Sequence, residues 1–322
     1  MKDEILLNVV GLKVYFYTRA GVVRAVDGVN FNVRQKETLG LIGESGSGKS
    51  VTCLSILRIV PNPGKIISGK ILYKGEDLLE KDESEMLNIR GKEIAMIFQD
   101  PATSLDPLFT IGDQLAEVIR LHRKVDKKEA EKLAIELLQT VGIPDAESKI
   151  RNYPWELSGG MRQRIAIARA LACKPRLLLA DEPTTNLDVT IQAQILDFLK
   201  ELKEKFGMTL VLVSHDMGVV YEMADRVAVL YAGRTCEIAD KNTIFREAKH
   251  PYTEALITSV PRIGVRRESL KVIPGEVPDL VNPPSGCRFH PRCKYAEPIC
   301  RKEQPPLIDL GGGHLVACHL YK

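Results

Sequence analysis

Residues 43–50 read GESGSGKS. They follow the apolar run Leu39-Gly40-Leu41-Ile42 and precede VTCLSILRIV, so a buried strand breaks into a glycine-rich loop and then into a helix. Glycines at 43, 46 and 48 let several backbone N–H groups converge, and the helix that follows turns its positive end to the same point. That arrangement suits the oxygens of a phosphate chain. Lys49 adds a compact positive charge, and the Ser50 hydroxyl can ligate Mg²⁺. The stretch satisfies G-x-x-x-x-G-K-[ST] in full, whereas the dinucleotide pattern G-x-G-x-x-G is absent. The phosphate-facing set is Gly43, Ser45, Gly46, Ser47, Gly48, Lys49 and Ser50, with Val51 and Thr52 of the first helical turn as candidates for the α-phosphate.

A phosphate loop needs a cation and, for hydrolysis, a base. The segment LLLADEP (177–183) ends an apolar strand in two adjacent carboxylates. Charges beside buried surface are costly unless something compensates them. Bound Mg²⁺ would do so, with Asp181 holding the ion and Glu182 orienting and deprotonating the attacking water. His215 in VLVSHD and Gln99 in EIAMIFQ also terminate apolar strands. Ligands of parallel sheets bind at such strand ends.

Around these motifs the chain alternates in character. Residues 5–42 have the period of strands, and GKILYKGEDL (69–78) reads as a hairpin. Residues 111–141 instead carry helical stripes, Ile111, Leu115, Val118 and Ile119 on one and Leu133, Leu137, Leu138 and Val141 on the next. Asp126 and Glu129 resemble a capping box at the start of the second of these helices. Strand-like runs return at RLLLADE, TLVLVSHD and RVAVLYAG, with a helix ending near Gly207 between the first two. The tail changes again, for nine of the 18 prolines lie beyond residue 260. Such a loop-rich segment has little to form a core and calls for a staple. The organisation expected is an α/β core with an antiparallel β subdomain over 1–99 and 173–258, an inserted helical subdomain over 100–172, and a small irregular cysteine-rich tail over 259–322.

A net charge of +3 is too small to attract nucleic acid or an anionic membrane by field alone. No apolar run approaches the roughly 20 residues of a membrane helix. The start MKDEILLNVV lacks the pattern of a secretory leader. The expectation is a soluble or peripheral protein in a reducing cytoplasm, where clustered cysteines favour metal over disulfides.

The segment LSGGMRQRIAIARAL (157–171) offers a second anion site, with Ser158 as N-cap and Gly159 and Gly160 opening a strong helix. In order, GESGSGKS, Gln99, the helical residues 100–156, LSGGM, LLLADE, TTNLD and His215 resemble the ATP-binding-cassette ATPases, over about Tyr17 to Gly233. The resemblance implies a RecA-like P-loop core that binds ATP and Mg²⁺. It implies metal contacts from Ser50, Gln99 and Asp181 and catalytic roles for Glu182, His215 and Gln99. It further implies that two nucleotide-binding subunits pair head to tail, so that Ser158, Gly159 and Gly160 of one meet the ATP held by the other. Asp188 would touch the facing subunit. An aromatic residue would stack on adenine; VYFYT offers Tyr15, Phe16 and Tyr17, and spacing favours Tyr17. Met161 departs from the glutamine common in the family.

HPYTEAL (250–256), PGEVPDLVNPPSGCRFHPRC (274–293), Cys300 and the style of IFQDPATSLDP (97–107) resemble the oligopeptide/dipeptide importer ATPases. Such a subunit sits on the cytoplasmic face of two membrane permeases beside a second, related ATPase, and an external binding protein delivers peptide. Nickel importers share much of the pattern. Soluble cassette ATPases acting on DNA or ribosomes usually duplicate the cassette or carry coiled-coil inserts, and this chain has neither.

Cys287, Cys293, Cys300 and Cys318 form C-x₅-C-x₆-C-x₁₇-C. Three grouped thiols with one remote are common around a [4Fe–4S] cluster. Zinc sites favour tighter knuckles, although His290, His314 and His319 stand by as zinc ligands. Unmetallated thiols or a disulfide are the third alternative. The resemblance implies the cluster, with a stapling role. Cys53, Cys173 and Cys236 are expected as core packing or isolated thiols.

Overall fold

The computed structural model describes residues 4–100, 104–185, 187–259 and 273–321. They form two compact units, Met1–Glu80 with Leu212–Lys322, and Lys81–Val211. The start of the tail, 260–272, lies outside the described residues.

The first unit opens with β1 (Ile5–Thr18) and β2 (Gly21–Arg34), which pair antiparallel. Their period-two pattern buries Leu7, Val9, Leu12 and Val14 on one strand and Val26, Val29, Phe31 and Val33 on the other. The register slips between Val9 and Leu12, where Gly11 takes a φ of 58° and makes a bulge. β3 (Thr38–Ile42) is wholly buried and leads through the phosphate loop into α1 (Lys49–Ile56). β4 (Gly64–Tyr73) and β5 (Glu76–Asp77) complete an antiparallel sheet of order β2-β1-β4-β5.

The second unit runs α2 (Glu83–Ile89), β6 (Ile94–Ile97), α3 (Ile111–Arg123), α4 (Lys127–Thr140), α5 (Ala146–Lys149), α6 (Gly159–Leu171), β7 (Leu177–Asp181) and α7 (Val189–Phe206). β6 and β7 pair parallel. The helices share a core of Ile111, Leu115 and Ile119, Ala134 and Leu138, and Ile165 and Ala168. The predicted stripes are thus the buried faces of α3 and α4, with Val118, Leu133 and Leu137 at their part-buried margins. Asp126 caps α4 by accepting the Glu129 N–H at 2.8 Å, and a full reciprocal capping box forms at α2 between Asp82 and Glu85.

β8 (Thr209–Val213) carries the chain back into the first unit. There follow α8 (Met217–Met223), β9 (Arg226–Tyr231), β10 (Arg234–Asp240), α9 (Lys241–Glu247), α10 (Pro251–Ser259), β11 (Ile308–Asp309) and β12 (Leu315–Val316). Within this unit the strands run β11-β12-β10-β9-β3, with β3 and β9 parallel and the rest antiparallel. The tail therefore extends the sheet of the nucleotide core. It also shares an aromatic core with it, in which the Tyr231, Tyr252 and Phe289 rings lie 4.5 to 5.3 Å apart. Among the described residues no helix is long and apolar enough to cross a membrane.

Candidate nucleotide site

The phosphate loop lies in the first unit. Gly43 has a φ of 152°, and a Cβ there would lie 2.1 Å from Leu230 O. Gly48, at φ 96°, would bring a Cβ within 2.6 Å of Ala25 O. Neither position tolerates a side chain. Gly48 is the left-handed N-cap of α1 and provides no side-chain cap, so the N-terminal N–H groups of the helix face the loop. Lys49 is 6% exposed, and its ammonium donates to Gly43 O at 2.8 Å, Glu44 O at 3.0 Å and Ser47 Oγ at 3.3 Å. The loop is thereby wrapped around a cation. Thr52 is wholly buried, and both its N–H and its hydroxyl donate to Gly48 O, tying the loop to the helix.

His215 belongs to the same unit. It is exposed just beyond β8, and the preceding Ser214 N–H donates to Leu41 O at 3.4 Å, in the strand that feeds the phosphate loop. Asp216 caps α8 through the Gly218 and Val219 N–H groups. Of the three candidate aromatics, Tyr15 donates its hydroxyl to Asp27 at 2.7 Å. The Phe16 ring is packed where a Cβ on Gly64 would lie 2.7 Å from it. Tyr17 is 48% exposed, with the Lys65 ammonium 5.8 Å from its ring centroid. Tyr17 is thus the aromatic with a face open to stacking.

The acidic motif lies in the second unit. β7 is buried throughout and delivers Asp181, itself 4% exposed. Glu182 follows with a φ of 47°, a left-handed conformation uncommon for a residue with a side chain. Gln99 Nε2 donates to its carboxylate at 2.9 Å and Thr185 Oγ1 at 3.0 Å. The glutamine and the carboxylate, 83 residues apart, are therefore brought together. Gln163, 1% exposed on α6, donates to Pro183 O at 2.5 Å and so links the helix that begins at Ser158 to the acidic turn. Thr185 and Gln163 are site residues the sequence reading did not single out; a hydroxyl three residues after Glu182 was the available signal for the first.

Ser158 is the N-cap of α6, its Oγ accepting the Met161 N–H at 3.3 Å, and its side chain is exposed. A Cβ on Gly160 would lie 3.2 Å from Ile191, and one on Gly159 3.9 Å from Leu187. Gly160 thus lets the turn lie close against the start of α7, whereas a side chain at 159 would meet only ordinary contact. Asp188 caps that helix by accepting the Ile191 N–H at 2.9 Å. Val189 beside it is 83% exposed. The intervening Asn186 of TTNLD is outside the described residues.

In the tail, burial pushes the Cys287 thiol up to about 11, with Cys300, Cys318 and Cys293 adding to the effect. Cys293 and Cys318 are raised for the same reasons, burial first and neighbouring thiols after it. Cys287 N–H donates to Cys300 O at 2.8 Å. Cys236, expected to be isolated or in the core, is indeed buried but feels both Cys287 and Cys318. The three tail histidines have partners of their own. His290 Nδ1 meets Cys287 O at 2.9 Å, His314 Nε2 meets Glu237 at 2.7 Å, and His319 Nε2 meets Glu303 O at 2.9 Å. Among the described residues no three His, Cys, Asp or Glu side chains form a group able to hold one metal ion.

Comparison with known proteins bears on both units. The family model described as "ABC transporter" matches residues 26–185, and that described as "Oligopeptide/dipeptide transporter, C-terminal region" matches 236–300. The chain is 50% identical to the oligopeptide transport ATP-binding protein AppD of Bacillus subtilis, covering 98% of this chain and 97% of that one. It is 47% identical to the dipeptide transport ATP-binding protein DppD of Escherichia coli, covering 98% and 96%. Among solved structures, the dimeric ATP-binding cassette MJ0796 in a post-hydrolysis state with ADP and Pi superposes with a TM-score of 0.64 at 29% identity, over 73% of this chain and 98% of that one. With matches to both family models and relatives about half identical over nearly their whole length, this chain belongs to the ATP-binding proteins of ABC transporters, in the family that carries the oligopeptide/dipeptide C-terminal region.

Proposed function

We propose that the chain is the ATP-hydrolysing subunit of an importer of di- or oligopeptides. The observation that carries this reading is identity of 47–50% over nearly the whole chain, tail included, to ATP-binding proteins of dipeptide and oligopeptide transport. Gly43, Ser45 to Gly48 and the first turn of α1 hold the phosphate oxygens, Lys49 neutralises them, and Tyr17 stacks on the base. Mg²⁺ lends Lewis acidity to the phosphates; Ser50, Asp181 and Gln99 are the residues that would hold it. Glu182 takes the proton of the attacking water. Its bonds from Gln99 and Thr185, and its left-handed backbone, support that role, since they fix the carboxylate before substrate arrives. His215 completes the set near the γ-phosphate.

Two such subunits face each other, and the turn at Ser158, Gly159 and Gly160 meets the nucleotide held by the mate. The exposed Ser158 and Val189 support an interface there. Asp188 lies at that interface. Closure of the pair on ATP, and its reopening after hydrolysis, moves two permease subunits on the cytoplasmic face of the membrane, with Gln99 in the connecting loop. A related second ATPase and an external peptide-binding protein complete the assembly, and nucleic acid has no place in it.

The tail holds a [4Fe–4S] cluster through Cys287, Cys293, Cys300 and Cys318. A four-iron cluster binds each thiolate on its own iron, so its ligands stand wider apart than those of a single ion. Thiols that neighbour one another, in the spacing C-x₅-C-x₆-C-x₁₇-C, support that choice. When bound, the cluster supplies cross-linking of the tail. Anaerobic purification should give brown protein with matched iron and sulfide; colourless, zinc-rich protein would refute it. For the transport reading, the complex reconstituted in proteoliposomes should accumulate dipeptide on ATP. Accumulation of nickel without peptide would replace the substrate.

A further inference from the structure

An anion-binding loop carries a carboxylate at its second position, Glu44, and an unpaired acid there would oppose the phosphates it serves. The acid is not unpaired. Arg292 from the tail reaches it with both arms of its guanidinium, Nη1 to Oε2 at 2.7 Å and Nη2 to Oε1 at 3.1 Å. A two-pronged contact of this kind fixes direction as well as charge. The arginine side chain is 5% exposed, and other bonds orient it. Nε donates to Pro274 O at 2.9 Å, Nη2 to Ile273 O at 3.4 Å, and Nη1 to the Tyr231 hydroxyl at 3.3 Å. From the HPYTEAL segment, the Tyr252 hydroxyl accepts the Glu44 N–H at 2.8 Å. The Glu44 carbonyl in turn accepts from Lys49 Nζ at 3.0 Å and from the Ser47 N–H at 3.2 Å. Every polar group of Glu44 therefore has a partner, and those outside the loop come from the C-terminal region.

We propose that Arg292 is a positioning residue for ATP binding: by gripping Glu44 it sets the shape and charge of the phosphate loop, so the C-terminal extension controls nucleotide affinity. This rests on the reading of Gly43–Ser50 as the ATP phosphate loop. The extension thereby acquires a task beyond stapling itself. Its arginine lies next to Cys293 in sequence, and its carboxylate partner is five residues from Lys49.

The test is a double-mutant cycle on the full-length chain, read as the Kd for Mg·ATP by calorimetry beside the Tm without nucleotide. Arg292→Met should weaken ATP binding about tenfold, the scale of one charge-assisted pair whose loss reaches the ligand. Arg292→Lys, which keeps the charge and loses the fork, should fall between it and the unmodified chain. Combining Arg292→Met with Glu44→Gln should be no worse than Arg292→Met alone, because both act through one contact. A lowered Tm with unchanged Kd would reduce Arg292 to a staple and overturn the proposal, as would fully additive losses. Should Arg292→Met not fold, Arg292→Lys and Glu44→Gln carry the same comparison. Failure of the unmodified chain to bind ATP would instead refute the reading of the loop, a distinct result.

Discussion

Replacing Glu182 by glutamine separates chemistry from architecture. The side chain accepts from Gln99 Nε2 at 2.9 Å and from Thr185 Oγ1 at 3.0 Å. A glutamine oxygen can still accept at this position, and its size is unchanged. The substitution does weaken both bonds, because hydrogen bonds to charged groups contribute about 1.5–3 kcal/mol and neutral ones about 0.5–1.5. The site is partly exposed, which shrinks the difference further, so folding stability should fall by about 1 kcal/mol at most. The proton-accepting carboxylate, by contrast, is gone. General-base catalysis contributes about 10²–10⁴-fold, or roughly 3–5 kcal/mol of barrier at 1.36 kcal/mol per decade. Phosphate release by the assembled transporter should therefore fall at least a hundredfold, while ATP affinity and Tm stay near those of the unmodified protein. Turnover within tenfold of normal would remove Glu182 from the base role. A collapse of ATP affinity would show that the carboxylate serves binding instead.

Further outcomes follow from the same geometry. Thr185→Val removes the Oγ1 bond to Glu182 without touching the base, and should lower kcat several-fold with little change in KM; an unchanged kcat would show that the carboxylate is positioned without Thr185. Gly43→Ala places a Cβ 2.1 Å from Leu230 O and should abolish ATP binding or folding, by more than the roughly 1 kcal/mol of a simple helix or strand glycine change. Asp126→Ala removes the cap of α4 and should cost about 1 kcal/mol, read as a drop in Tm with ATPase activity retained. His250 is fully buried and its pKa is lowered to about 4 by desolvation. A group depressed in the folded state contributes stability above its unfolded pKa of about 6.5, and that contribution is lost as pH falls toward 4. Stability should therefore decline between about pH 6.5 and 4 by an amount on the order of 3 kcal/mol. His250→Asn, whose amide oxygen can still accept the Tyr252 N–H, should flatten that decline, and an unchanged slope would assign it to other groups.

Much of the site was readable because its chemistry is contiguous. GESGSGKS, LLLADE and LSGGM each carry their own strand, turn or cap, and neighbouring residues alone dictate the local geometry. The helical stripes of α3 and α4 were equally plain, since burial follows the 3.6-residue period. Contacts between distant segments were not readable. Nothing in the spacing joins Gln163 to Pro183, or Arg292 to Glu44 across 248 residues. The tail's many prolines give no sign in the sequence that it joins a sheet. Yet β11 and β12, of two residues each, are enough to extend the sheet beyond β10, and strands so short leave no period to detect. The same fold brings Cys236 of β10 beside Cys287 and Cys318, a proximity its apolar surroundings in sequence concealed.

On the proposed function, hydrolysis needs a nucleotide enclosed by two facing cassettes. A structure of the assembled transporter carrying Glu182→Gln, trapped with Mg·ATP, tests it most directly. Lys49 of this chain and the serine-glycine turn of the opposing subunit should flank the same triphosphate, with Ser158 on the mate's nucleotide. A triphosphate closed within this chain alone, with Ser158 turned to solvent, would contradict it.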